Sequence, residues 1–356
     1  MRVAGLYDVD RADLQQLLAD EPPFRVAQLW HGLYRRLQVP EEMTDLPTPL
    51  RHRLSAALPS ALSEPVRRSS PDGRTVKWSW ALFDGVRIET VLMHYGQRST
   101  VCVSSQAGCA MGCLFCATGQ AGFARQLSCG EILEQVVLAA RHGAPRRLSN
   151  VVFMGMGEPL ANFDALWAAV RRLHHDMGIS ARHLTISTSG IVPGIRRLAG
   201  EPLPVNLAVS LHAANDTLRD RLVPINRRYP LSMLAEACQH YVRRTRRRLS
   251  LEWALIDRVN DHPSDAVELA TFAFPLRAHV NLIPLNPTPG YRARGTARPG
   301  VLAFAARLRE AGITTTIRAT RGVEIDAACG QLAGARRRAP DMTITSTVGR
   351  TSGSAS

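Results

Sequence analysis

Beyond about residue 100, apolar residues switch repeatedly between short runs and a spacing of three to four. The runs at 100–105, 150–155, 183–189, 205–212, 249–256, 279–286 and 314–319 read as strands. The spaced segments at 131–141, 163–174, 231–244, 263–274 and 300–311 read as helices. Strands alternating with helices give an α/β class, with a parallel sheet and helices outside it. Several runs end in polar residues: Ser104-Ser105, Ser187-Thr188-Ser189, Ser210-Leu211-His212 and Asn286. Polar groups at the carboxyl ends of barrel strands build active sites.

The first 70 or so residues follow a different pattern. Segments 11–19, 24–36 and 49–57 read as short helices, broken at Glu21-Pro22-Pro23 and Pro40. Segments 76–83 and 86–93 read as the two strands of a hairpin around Asp84-Gly85. The expected division is a helical accessory domain over 1–72, a linking hairpin over 73–99, a catalytic domain over 100–335 and a basic tail over 336–356. The tail is Arg-rich, then rich in Ser, Thr and Gly, and reads as disordered.

Composition narrows the class. Apolar residues make up 45% of 356, enough for a substantial core. No apolar run approaches the roughly 20 residues that span a bilayer, and the start of the chain lacks the apolar centre of a signal peptide. A cytoplasmic protein without membrane contact is expected. The formal charge is +14, from 44 basic and 30 acidic residues, and a single one of the basic residues, Lys77, is lysine. A balance this basic attracts polyanions, RNA among them. Runs at Arg243-Arg244, Arg246-Arg247-Arg248 and Arg336-Arg337-Arg338 suit phosphate contacts, or simply a solvated face.

The seven cysteines change the picture more. Cys109, Cys113 and Cys116 fall in eight residues with spacing C-x3-C-x2-C, directly after the first strand of the alternating region. Three thiolates on a short loop can hold three irons of a [4Fe-4S] cluster and leave the fourth open to a small chelate. A zinc site would want a second pair of ligands downstream, and Cys129 stands alone there.

With Phe115 before the last cysteine, this motif resembles that of the radical S-adenosylmethionine (SAM) superfamily. From about residue 20 to 334 the chain is more narrowly similar to the RlmN/Cfr family of adenine methyltransferases. The matching stretches include 102–106, 154–160, 187–190, 210–212, 223–226, 281–287 and 325–332. The resemblance implies a partial (β/α)6-type, TIM-like barrel with a small N-terminal helical domain and a hairpin extension. It implies one [4Fe-4S] cluster on Cys109, Cys113 and Cys116, and SAM contacts from Gly157, Glu158, Ser187, Ser210, Leu211, His212 and Asn286. It further implies that Cys329 becomes methylated, that Cys102 pairs with it transiently in a disulfide, and that Glu89 accepts a proton. Cys129 and Cys238 are assigned to structure.

The chemistry that follows is methylation of adenine C2 in 23S rRNA, possible also on tRNA, by way of a methyl-cysteine and a 5′-deoxyadenosyl radical. It would consume two SAM and draw electrons from a flavodoxin-like donor, with the enzyme a monomer. C8 methylation is the alternative within the family. A radical SAM activase or a non-catalytic RNA-binding protein are the alternatives outside it.

Overall fold

The computed structural model describes residues 5–318 and 321–333. Its N-terminal region holds three helices, α1 (Arg11–Leu17), α2 (Phe24–His31) and α3 (Thr48–Ala57). Four antiparallel strands follow: β1 (Ser63–Ser69), β2 (Thr75–Ala81), β3 (Arg87–Tyr95) and β4 (Arg98–Cys102). A small two-stranded sheet, β5 (Gln106–Gly108) and β6 (Phe123–Gln126), encloses α4 (Ala117–Ala121).

The chain then alternates α5 (Cys129–Gly143), β7 (Arg147–Phe153), α6 (Phe163–His175), β8 (Leu184–Thr188), α7 (Val192–Ala199) and β9 (Asn206–Ser210). It continues through α8 (Asp216–Leu222), α9 (Leu231–Thr245), β10 (Leu249–Leu255), α10 (Pro263–Ala273), β11 (His279–Pro284), α11 (Arg298–Glu310) and β12 (Thr315–Ile317). Ten strands form one sheet in the order β1-β2-β3-β4-β7-β8-β9-β10-β11-β12, parallel from β4 onward. Strands β1 and β12 are its edges, so the barrel is partial rather than closed.

The pattern of burial explains the order. Leu249, Leu251, Trp253 and Leu255 of β10 alternate into the core and are fully buried. Helix α5 covers the sheet with Ile132, Leu133, Val136 and Val137, and α6 with Leu166, Ala169, Val170 and Leu173. Each such Leu, Ile or Val contributes roughly 1.5–3 kcal/mol when buried. A reciprocal cap starts α5: the Ser128 hydroxyl accepts from the Glu131 amide at 3.1 Å, and the Glu131 carboxylate accepts from the Ser128 amide at 2.9 Å.

The N-terminal helices share this core. Trp30 Nε1 donates to Asp176 at 2.8 Å, Arg172 donates to the Tyr7 carbonyl at 2.7 Å, and buried Glu134 of α5 accepts from the amide of Ala61 at 2.8 Å and from the Ser60 hydroxyl.

The hairpin of the sequence reading is β2–β3. It continues the main sheet, because β3 pairs with β4 and sets Val91 opposite Cys102. Strand β1 lies where only helices were expected. All seven of its residues are exposed, so it carries no apolar alternation to read. Helices α7 and α8 and the β5–β6 pair also escaped the pattern. Arg336-Arg337-Arg338 and the tail at 336–356 lie outside the described residues.

Candidate active site

Cys109, Cys113 and Cys116 sit on the loop between β5 and α4 and line one cavity at the carboxyl ends of the strands. Glycine makes the loop possible. A Cβ on Gly108 would stand 2.0 Å from the Gly122 carbonyl oxygen, so only glycine lets β5 and β6 close beneath the cysteines. The donor set suits a cluster. All three thiols are free. Burial pushes Cys109 up to about 12 and Cys113 higher, and the thiols reinforce one another. Cys109 and Cys113 so placed need added positive charge to ionise, which bound iron would provide. Among the described residues no three His, Cys, Asp or Glu converge as a single metal ion requires.

The opposite wall is built from strand ends. Gly157, Glu158, Ser187, Ser210, His212 and Asn286 all line the cavity. Leu211 does not; it is fully buried, and its carbonyl accepts from Arg219. Gly157 has φ +102°, and a Cβ there would meet Gln106 at 2.5 Å. Burial raises the Glu158 carboxyl, and hydrogen bonds from Ser189 and Leu160 oppose the shift.

His212 has φ +60°, uncommon for a side chain of its size. Burial pushes its imidazole down to about 3, so the ring is neutral. The Ala254 amide donates to Nδ1 at 2.9 Å, which puts the ring proton on Nε2. The ring meets Phe115 edge-on at 4.7 Å.

Cys329 belongs to the loop after β12. Its carbonyl accepts from Asn286 Nδ2 at 3.0 Å. It lines the cavity of the three cysteines and also a second cavity that holds Cys102. Its accessible surface is cavity wall: the surrounding protein raises the thiol, and the Arg318 guanidinium opposes this. Cys102, at the end of β4, is pushed up to about 12 by burial. Both are free thiols.

Glu89 is placed differently. It lines a third cavity with Lys77, Asp326 and Gln331, and its Oε2 accepts from the Ala333 amide at 3.2 Å. The structure therefore brings Cys102 and Cys329 together and sets Glu89 in another cavity, beside the two ends of the Cys329 loop.

Several site residues had no local signal. Arg219 is fully buried on α8 and donates to Asn226 at 2.8 Å and to the carbonyls of Ser189, Ser210 and Leu211 at 2.6–3.3 Å, clamping the ends of β8 and β9. Asn260 is fully buried too and donates to the carbonyls of His212 and Ala254 at 2.8 and 2.7 Å. Lone Arg and Asn residues in a sequence announce neither role.

Comparison with known proteins bears directly on this site. The radical SAM superfamily model matches residues 103–270. A probable dual-specificity RNA methyltransferase RlmN of Frankia casuarinae is 53% identical, over 96% of this chain and 84% of that protein. The protein of the same name from Chloroflexus aurantiacus is 49% identical, over 95% of each. The chain belongs to the RlmN family. A crystal structure of a radical SAM methyltransferase from Sphaerobacter thermophilus superposes on this RlmN-family chain with a TM-score of 0.89, at 50% identity, over 92% of this chain and 99% of the other. The fold is thus that of radical SAM methyltransferases, and RlmN membership brings with it a [4Fe-4S] cluster and SAM.

Proposed function

We propose that this RlmN-family protein methylates C2 of an adenine in 23S ribosomal RNA, with tRNA as a second substrate, and carries the methyl group on Cys329 before transfer. The observation that supports this best is the position of Cys329 in the wall of two cavities, one with the three cysteines and one with Cys102. A residue that takes a methyl on one side and is released by a second thiol on the other needs both neighbours. The name RNA methyltransferase among its relatives supports the substrate class.

Cys109, Cys113 and Cys116 would hold the cluster, and Glu158, Ser187, Ser210, His212 and Asn286 would hold SAM. Cluster and SAM together supply a carbon radical, the reagent needed at a ring carbon too poor in electrons for ordinary methyl displacement. The roles of the chain are then ordered. The Cys329 thiolate would attack the methyl carbon of SAM, forming S-methyl-Cys329 and releasing S-adenosylhomocysteine. Burial raises the Cys329 thiol, and Arg318 beside it partly offsets this in favour of the thiolate. The methyl group on Cys329 would give up a hydrogen atom to that carbon radical before its carbon bonds to the base, and the strand-end wall would exclude water during the transfer. Glu89 would take the ring proton, and the adduct's unpaired electron would go to the cluster held by Cys109, Cys113 and Cys116. The Cys102 thiolate would then attack the Cys329 sulfur, breaking its bond to the methylene carbon. That carbon would take up a proton to become the methyl group, and a disulfide would be left behind. A flavodoxin-like donor would return the disulfide to two thiols and reduce the cluster.

The N-terminal residues 1–72 would help hold RNA against the residue 100–335 catalytic domain, through the 73–99 hairpin, in a monomer. The deciding experiment is anaerobic reaction with ribosomal RNA, followed by mass mapping of the modified adenine. 2-Methyladenine is expected; 8-methyladenine alone would overturn the C2 assignment.

A further inference from the structure

Lys77 is the single lysine among 44 basic residues of this chain. Every other cationic position is arginine, so the exception calls for a local reason. Its place on β2 provides one. Lys77 is buried, at 6% exposure, and its Nζ lies 3.3 Å from Glu89 Oε1 across the β2–β3 pair. The same Nζ donates to the Asp326 carbonyl at 3.0 Å. Glu89 in turn accepts from the Ala333 amide through Oε2 at 3.2 Å. One buried ion pair thus grips the Cys329 loop twice, three residues before the thiol and four after it. A compact ammonium can satisfy a carboxylate and a carbonyl in a tight site, where the planar guanidinium fork needs more room. The loop is built from tight turns rather than from a strand or α-helix: Val323–Ile325 is a single 3-10 turn, Asp326 has φ +53°, and Gly322 and Gly330 also lie at positive φ, so its ends depend on ties to the rest of the fold.

We propose that Lys77 is the positioning residue of the Cys329 loop: with Glu89 it pins the loop at Asp326 and Ala333 and so sets where the Cys329 thiol meets its methyl donor. This rests on the reading of Cys329 as methyl carrier. Other ties also reach the loop. Asn286 and Ala117 donate to the Cys329 and Gly330 carbonyls, Thr118 donates to the Leu332 carbonyl, Gln331 donates to the Pro287 carbonyl at 3.1 Å, and Arg68 pairs with the exposed Asp326 carboxylate at 3.6 Å. The Lys77–Glu89 pair differs from these in being a buried ion pair that holds both ends at once.

The test uses the full-length reconstituted protein with Lys77→Met, and with Lys77→Met combined with Glu89→Gln. The double variant removes the unpaired buried carboxylate that could unfold the single one, while Gln can still accept from Ala333. Two readouts are taken without RNA: amide hydrogen exchange over 323–333 against β2 and β3, and the rate at which Cys329 gains a methyl from SAM. The expected result is at least tenfold faster exchange confined to the loop, together with at least tenfold slower methylation of Cys329. Unchanged loop exchange overturns the proposal, as does a loosened loop that is methylated at the wild-type rate. A wild-type protein that never gains a methyl on Cys329 would defeat the methyl-carrier reading itself, and that control separates the two failures.

Discussion

Glu158 Oε2 accepts from both the backbone amide and the hydroxyl of Ser189, at 2.7 and 2.9 Å. Its other oxygen accepts from the Leu160 amide at 3.1 Å. The carboxylate is therefore fixed by the segment just beyond β8 and faces the cavity already oriented for a cationic ligand group. Ser189→Ala removes one of these donors, worth about 1 kcal/mol or more to a charged acceptor. SAM affinity should fall roughly fivefold or more by that measure. Glu158→Gln should cost more, about tenfold or above, because it removes charge as well as a partner. Equilibrium SAM binding to the reconstituted variants, at unchanged iron content, decides it; an unaltered affinity for both would take Glu158 out of the ammonium site.

Arg219 should matter for folding as much as for the site. It is a fully buried cation that donates to three carbonyls and to Asn226. Arg219→Ala leaves those carbonyls and the Asn226 side chain short of partners and opens a cavity. A loss of about 3 kcal/mol or more is expected in urea unfolding. A variant within about 0.5 kcal/mol of the parent, the scale of surface substitutions, would show that these bonds are replaced by water at no cost.

How much of this was readable beforehand depended on how local the signal was. The cysteine motif and each polar strand end are each contained within a few consecutive residues, and period-two and period-3.6 patterns mark a half-buried strand or helix wherever one face is apolar. Strand β1 has no buried face, and α7 opens with Val192-Pro193-Gly194, which reads as a turn. Arg219, Asn260 and Lys77 acquire meaning only from residues brought to them by the fold. Glu89 shows the limit of resemblance: its role was named from the sequence, yet its cavity and its ties to Lys77 and Ala333 came only with tertiary structure.

Glu134 should give stability a pH dependence. Burial pushes its carboxyl up to about 7 from 4.5, against hydrogen bonds from Ser60 and Ala61. The folded state holds the proton more tightly than the unfolded state. Its contribution is therefore full below about pH 4.5 and declines as pH rises to about 7, by up to about 3 kcal/mol. Glu134→Gln should remove this decline and leave the protein more stable than the parent near pH 8. Thermal unfolding of both proteins from pH 5 to 8 measures the difference; parallel curves would mean that Glu134 titrates alike in both states.

The cysteines outside the cavity should be silent in metal binding. Cys238 is fully buried on α9, and Cys129 opens α5 half-buried against the core. Burial raises them to about 12 and about 11. Cys129→Ala and Cys238→Ala should keep full iron and sulfide content after anaerobic reconstitution. Cys109→Ala, Cys113→Ala and Cys116→Ala should each lose the cluster absorbance and all SAM cleavage. A folded Cys129→Ala protein without iron would move the ligand set.

Cys102 and Cys329 should fail in different ways, although they share a cavity. In the proposed order Cys329 carries the carbon that is transferred, so Cys329→Ala should give neither methylated protein nor any link to RNA. Cys102 acts only at the end, when its thiolate attacks the Cys329 sulfur. Burial pushes the Cys102 thiol up to about 12, so it must lose its proton before it can attack. Cys102→Ala should therefore gain its methyl, add to the adenine and stop there, with protein and RNA joined through Cys329. A denaturing gel after anaerobic reaction with SAM and RNA reads this directly, as a nuclease-sensitive shifted band present for Cys102→Ala and absent for Cys329→Ala. A purely structural role for Cys102 predicts the opposite: trimming a buried thiol to a methyl leaves a small void, lowers stability by about 1–2 kcal/mol, and produces no band. If Cys102→Ala turns over repeatedly and releases methylated RNA, release does not need the second thiol, and the shared cavity has another use.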